Sequence, residues 1–270
     1  MSSVPCRFNK MNYHLKYVSE FARQYFKFFN WKTNARILNI GMGSGHLSEI
    51  EPLFPKYYKE ILCVDKFEKM VNYLNANEKD SRIRALQMDI QTTELPVALK
   101  GRFDFVCSSN SLMYLSDIRQ AFSNVTQLLN KNGELFFIWP KRGDVHDLYK
   151  AMSRIERWEP YTSDFRNWEN YFDNENPTET LNRELKLVGI EILKSELINL
   201  SFEEQDKMKF FDLFNCLDYI AEQIPTNDLP QYKEDYHKLV QARLINEMKS
   251  DGRITWRLPV DSLVVAARKI

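Results

Sequence analysis

Short, largely apolar runs alternate with amphipathic stretches through the first half of the chain. The runs are Ile37–Ile40, Ile61–Asp65, Ile83–Met88, Phe103–Cys107 and the ELFFIW segment at 134–139. Runs of this length predict strands, and ELFFIW, nearly all apolar, predicts one buried on both faces. Between them, apolar residues recur at three- and four-residue spacing, the period of a helix with one buried face. The spacing predicts a helix over Asn12–Phe29, carried by Tyr13, Tyr17, Val18, Phe21, Tyr25, Phe28 and Phe29, ahead of the first strand. Further helices are predicted between the first strand and Pro52, over 67–75, and from Ile118 through Ala121, Phe122, Val125, Leu128 and Leu129 to a stop at Asn132-Gly133. Strands alternating with helices imply a doubly wound, mostly parallel sheet with right-handed crossovers. Residues 1–10 read as a loose tail.

The second half is less regular. A helix is expected from about Asp144, then an aromatic-rich stretch containing Trp158, Tyr161, Phe165, Trp168, Tyr171 and Phe172. DNENP at 173–177 turns the chain into a helix over 178–188. A β-prone run at Ile190–Leu200 predicts a sixth strand, and Ser262–Ala267 an antiparallel seventh. Helical stretches over 203–223 and 231–248, split by Pro225 and Pro230, lie between them. The expected organisation is one domain over 1–270. It has an N-terminal extension (1–35), a sheet core (36–140), an aromatic-rich helical region (141–189) and a helical insertion (201–252). That insertion reads either as a cap over the binding edge of the sheet or as peripheral packing. No internal repeat or low-complexity segment is present.

The turn after the first strand holds the clearest chemical signal. Gly41, Gly43 and Gly45, three of only eight glycines, fall within RILNIGMGSGHLSE. Glycine serves where φ must be positive or where a ligand must approach bare backbone. Asp65 closes the second strand 20 residues on, and a carboxylate there is how such sheets hold a ribose. The dinucleotide fingerprint needs a third glycine where this chain has His46. The pattern here is G-x-G-x-G, which resembles motif I of class I S-adenosylmethionine (SAM) methyltransferases. A glycine turn that merely joins strand to helix is the competing reading. The glycines, Asp65, Asp89 and Ser108 all fall at the carboxyl edge of the expected sheet, where ligands of open α/β folds lie.

Composition narrows the partners. Lys plus Arg and Asp plus Glu each number 37, so there is no net basic charge of the kind a nucleic-acid surface needs. The four cysteines are widely spaced with no C-x-x-C pair, as expected for a reducing, cytoplasmic setting without zinc. No apolar run reaches the ~18 residues of a membrane span, and the start of the sequence lacks the apolar core of a signal peptide. His14, His46, His146 and His237 are scattered, which gives a metal site no support. His46 reads as a structural residue at a helix start or as a base for a hydroxyl acceptor. No G-x-S-x-G elbow surrounds Ser108, Ser109 or Ser111, so hydrolase chemistry is not indicated. The chain has SSNSLMY where amino-methylating DNA enzymes of this fold carry N-P-P-[FY].

With these elements placed, the chain resembles insect juvenile hormone acid methyltransferases from about Met11 to the ARK at 267–269. The resemblance rests on an N-terminal helix with a tyrosine and a glutamine, the glycine loop, VD at 64–65, MDI at 88–90, FDFV and the serine after it. It continues through RQAF and LLNKNGELFF at 119–137, KAMSRIERWEPY, DNENP and the LVGI before the sixth strand. The resemblance implies a Rossmann-like class I methyltransferase fold with seven strands and a helical cap between the last two. It also implies SAM as cofactor, a small apolar carboxylic acid of the farnesoic or juvenile hormone acid type as acceptor, and a place in juvenile hormone biosynthesis. By the same resemblance Gln24 and Tyr114 would meet the acceptor carboxylate. Asn39, Gly41, Gly43, Gly45, Asp65, Lys66, Asp89, Ile90 and Ser108 would line the cofactor. Three positions depart from the family pattern. Asn39 replaces an acidic residue, Met113 a histidine and Tyr114 a tryptophan. Asn39 keeps an acceptor oxygen but no charge, and Tyr114 keeps an aromatic face and one donor. Other readings therefore stay open: a methyltransferase for a fatty acid or a hydroxyl acceptor, or a catalytically silent binder of SAM or a lipid acid.

Overall fold

The computed structural model describes residues 13–41, 51–140, 145–166 and 176–270. Helix α1 (Tyr13–Tyr25) opens it and tightens into a 3₁₀ turn at Phe26–Phe28. Strands β1 (Arg36–Ile40), β2 (Glu60–Asp65), β3 (Ile83–Gln87), β4 (Phe103–Ser109) and β5 (Leu129–Pro140) follow, with α2 (Glu68–Asn77) after β2 and α3 (Ile118–Leu128) after β4. The second half contributes α4 (Val145–Met152), α5 (Glu159–Thr162), α6 (Pro177–Leu187), β6 (Ile190–Glu204), α7 (Met208–Leu217), α8 (Leu229–Gln241), β7 (Ile245–Met248) and β8 (Ile254–Lys269).

The sheet runs β3-β2-β1-β4-β5-β8-β6, with β7 paired to β8 alone. β1 pairs in parallel with both β2 and β4, β2 with β3, and β4 with β5. The chain therefore leaves β1 toward one edge and returns on its other side at β4. Arg268 meets Glu191 and Asn199 meets Asp261, so the contacts step in opposite directions along β6 and β8. β8 is thus antiparallel to β6, as the sequence predicts for its last strand. The mostly parallel, doubly wound sheet stands as expected.

Contacts divide the chain into two compact units. One holds 1–139, 174–198 and 263–270; the other holds 140–173 and 199–262, so the boundary falls within β6 and β8. In the first unit, helices cover both faces of the sheet. Phe26 lies within 5.6 Å of Phe54, Phe105, Phe136 and Trp31 on the face that α1 covers. On the opposite face Phe122 of α3 lies 5.4 Å from Phe137 and stacks near Trp139. Burying an aromatic side chain of this kind contributes roughly 1.5–3 kcal/mol. In the second unit the core is tyrosine-rich: Tyr149, Trp158, Tyr232 and Tyr236 are fully buried. Trp158 donates through Nε1 to Asp235 at 3.0 Å, and its ring meets Tyr232 edge-on. Among the described residues no helix is long and apolar enough to cross a membrane.

Several boundaries differ from the sequence expectation. α3 ends at Leu128, short of Asn132-Gly133. Leu129 already pairs with Phe103, and the register then shifts so that Phe105 meets Glu134. Asn132, at φ 64°, makes an irregularity within β5 instead of a helix stop. The helix expected over 231–248 ends at Gln241, and 245–248 forms β7, antiparallel to 254–257. Gly252, at φ 81°, turns that hairpin. The last strand begins at Ile254, well before Ser262.

Candidate functional site

In an open α/β sheet the ligand crevice opens where the strand order reverses, at the carboxyl ends. Here that point lies between β1 and β4. Gly41, directly after β1, has φ 68° and donates its N–H to Val64 O at 2.8 Å. A Cβ at this position would fall on Ser111 Cβ and Oγ, so the bare face of Gly41 is met by a side chain of the same protein. Ser111 and Ser108 both donate to Ile40 O, at 3.1 and 3.0 Å, and stand 2.7 Å from each other. Two hydroxyls thus tie the end of β1 to the turn after β4.

Asp65 ends β2 with 8 % of its surface exposed. Its Oδ1 accepts from Phe67 N at 2.9 Å and its carbonyl from Met88 N at 3.0 Å, which joins the ends of β2 and β3. Lys66 is exposed and lies over the Phe67 ring. After β3, Asp89 is exposed and closes an Asx turn onto Gln91 N at 2.8 Å. Ile90 is buried and its carbonyl accepts from Asn124 Nδ2 of α3 at 2.7 Å. The neighbouring Gln91 Oε1 accepts from Ser116 N, Ser116 Oγ and Asp117 N, at 2.8, 3.1 and 2.7 Å. That clasp fixes the loop after β3 to the loop after β4, and Asp117 in turn caps α3 through Gln120 N.

The residues proposed from sequence therefore divide. Gly41, Asp65, Lys66, Asp89, Ile90 and Ser108 share the carboxyl edge of β1 to β4. Tyr114, half-buried in the 3₁₀ turn Leu112–Tyr114, lies on the loop after β4. Gly43 and Gly45, with His46, lie outside the described residues. Asn39 is buried mid-strand, level with Cys63 and Cys107 on its two neighbours, and its amide hydrogen-bonds the Cys63 sulfur. Burial, and more weakly the charge of Glu78, push the Cys63 thiol up to about 12 against the pull of that bond.

Gln24 is placed apart from this edge. α1 runs from the strand ends, where Tyr17 meets Asn110, toward the start of β5, where Asn30 N donates to Glu134 at 2.8 Å. Seven residues of helix, ~10 Å, separate Tyr17 from Gln24, whose side chain is exposed. Sequence reasoning missed Asn110, Ser111, Gln91 and the polar role of Tyr17. The available signal was the SSNS run beside a strand end, since asparagine is enriched at positive φ and Asn110 has φ 55°.

Residues 38–137 match the family model described as a methyltransferase domain. The chain has the fold of class I SAM methyltransferases. It is 26% identical over 231 residues to the juvenile hormone acid O-methyltransferase of Bombyx mori, covering 82% of this chain and 79% of that protein. It is 23% identical over 246 residues to the enzyme of the same name from Drosophila melanogaster, covering 88% and 82%. At these identities it is similar to these enzymes, as its motifs suggest. Among solved structures, an S-adenosylmethionine-dependent methyltransferase from Mesorhizobium loti superimposes with a TM-score of 0.51 at 18% identity, covering 94% of this chain and all of that one. The expectation of SAM as cofactor stands with the domain. The residues present fit it. A buried carboxylate ends β2, a glycine at positive φ follows β1, and a buried apolar side chain, Ile90, follows β3.

Proposed function

We propose that this protein is a SAM-dependent O-methyltransferase of the cytoplasm that esterifies a small apolar carboxylic acid of the farnesoic or juvenile hormone acid type. The observation that carries the reading is similarity to two juvenile hormone acid O-methyltransferases over more than four-fifths of the chain. Bound SAM supplies an electrophilic methyl on a sulfonium. An ordinary carboxylic acid, with a pKa of roughly 4 to 5, is already ionised near neutral pH and needs no general base. The protein's task is then proximity and orientation.

In this reading Asp65 accepts from the ribose hydroxyls, with Lys66 beside it. Asp89 and Ile90 border the adenine. Gly41, Gly43 and Gly45 face the methionine part. Ser108 acts through Ile40 by holding the end of β1, and Asn39 stiffens β1 through Cys63. Tyr114 donates to one oxygen of the acceptor carboxylate, with Gln24 as its partner. The exposed setting of Gln24 makes its role the more demanding of the two, since the acceptor has to reach the outer face of α1. A second reading, an acceptor other than a terpenoid acid, is favoured by Met113 and Tyr114, which stand where the family has histidine and tryptophan.

The test is ester formation, followed by mass spectrometry, with SAM and a panel of farnesoic acid, juvenile hormone acid, a medium-chain fatty acid and a terpenoid alcohol. Methyl esters of the terpenoid acids are expected. Methylation of the alcohol or the fatty acid alone supports the second reading, and no product from any member rejects both. In the same assay Tyr114→Phe and Gln24→Ala are expected to lower turnover about tenfold with SAM affinity unchanged. Unaltered turnover in Gln24→Ala removes that residue from the acceptor site.

A further inference from the structure

Asn110 is held at two points but leaves one of its own groups unanswered. It follows β4 directly, at the switch point and one residue before Ser111. Its φ of 55° is in the left-handed region, which asparagine tolerates better than most residues. Its N–H donates to Ile138 O of β5 at 3.0 Å, so the backbone is fixed. Its Nδ2 donates to the Tyr17 hydroxyl of α1 at 2.6 Å, so the side chain is fixed too. Burial raises the pKa of that hydroxyl, against the weaker pull of Asn110, so it stays a neutral phenol at any physiological pH. With both anchors in place, Asn110 Oδ1 is buried and has no hydrogen-bond partner. A buried, unpartnered acceptor is costly in a folded protein, and a bound donor would offset that cost.

The donor is identified by what surrounds Asn110. The switch-point crevice takes the ligand, and the turn that carries Asn110 also carries Ser111, which packs on Gly41. The group therefore lies beside the first glycine of the loop read as facing the methionine arm. That arm ends in an ammonium, a donor of three N–H bonds with positive charge. Asn39, at the position where related motifs have an acidic residue, is two residues down β1 with its amide already bonded to Cys63. We infer that Asn110 Oδ1 receives the α-ammonium of SAM, taking the place of the missing motif I carboxylate, and that Tyr17 orients it. The inference rests on the SAM-binding reading and concerns the cofactor, not the acceptor.

The test compares two ligands by calorimetry. S-adenosylhomocysteine carries the ammonium arm, whereas methylthioadenosine has the same nucleoside and sulfur but no amino acid. Asn110→Gly removes the amide at a φ that glycine adopts freely, and Asn110→Asp keeps an acceptor and adds charge. The expected result is a tenfold or greater loss of S-adenosylhomocysteine affinity in Asn110→Gly, with methylthioadenosine within twofold of wild type. Asn110→Asp is expected to match or exceed wild type for S-adenosylhomocysteine. Equal loss for both ligands overturns the inference, because it signals collapse of the turn. So does unchanged S-adenosylhomocysteine binding, including the case where only the KM for the acceptor rises, which assigns Asn110 to the acceptor. If the folded wild-type protein binds neither ligand, the SAM-binding reading fails first and the inference falls with it.

Discussion

Gly41 carries two constraints that one methyl group would test. Its φ of 68° costs an L-residue roughly 1–2 kcal/mol. The space for a Cβ is already filled by Ser111, and overpacking of this kind typically costs about 1–3 kcal/mol. Gly41→Ala is therefore expected to lower unfolding free energy by about 3 kcal/mol in a denaturant titration. Combining it with Ser111→Gly should return the overpacking share and leave the backbone share, a coupling that a double-mutant cycle reads directly. Equal losses in the single and combined variants would rule out the contact with Ser111 as a cause. The glycine was legible in the sequence, but its reason was only half so. A G-x-G-x-G pattern announces bare backbone, and nothing in it says that a serine 70 residues away packs on the first glycine.

At the scale of elements, the sequence was most informative where burial imposes a period. β1, β2, β4 and the second half of β5 are buried and largely apolar, and each of β1 to β5 was expected within a few positions of where it begins or ends. Legibility fails where burial fails. All four residues of β7 are exposed, so no inside–outside alternation marks it, and Leu244, Ile245 and Met248 extend the helical spacing of α8 past its end. Only pairing with Ile254–Arg257 makes that segment a strand. Asn132-Gly133 misleads for a related reason. The pair suits a helix stop and a β irregularity equally, and tertiary pairing of Leu129 with Phe103 decides between them. The candidate site follows the same rule. Its strand-end residues were readable because topology places strand ends. The clasp of Gln91 on Ser116 and Asp117, and the reach of Tyr17 to Asn110, join residues 25 to 93 positions apart and leave no periodic trace. Gln24 shows the converse. Sequence register puts it on the first helix, but the direction in which α1 crosses the sheet decides which end of that helix meets the site.

At the scale of the whole molecule, the second unit holds a charge that folding places at a disadvantage. Asp218 is 7 % exposed among Tyr149, Tyr232, Tyr219 and Tyr236, with His146 3.4 Å from the Tyr219 hydroxyl. Burial pushes its carboxyl up to about 6, and the hydrogen bonds from Tyr149, Ala221 N and Tyr232 recover only part of the shift. A folded-state pKa above the unfolded value means the folded form holds the proton more tightly. The stabilisation from this group is complete below the unfolded value of 3.8 and is lost as pH rises through about 6. A shift of this size is worth on the order of 3 kcal/mol, so the second unit is expected to melt at a lower temperature at pH 7.5 than at pH 5. Asp218→Asn keeps an acceptor for the tyrosine hydroxyls and cannot ionise. It should flatten that dependence and raise the melting temperature at pH 7.5. The pH range separates Asp218 from the tyrosine hydroxyls of the cluster, and Asp218→Asn separates it from His146. The hydroxyls of Tyr149 and Tyr232 are pushed further from neutrality by the same burial and the adjacent Asp218 carboxylate. Parallel melting curves for the two proteins from pH 5 to pH 7.5 would show that Asp218 does not set the pH response.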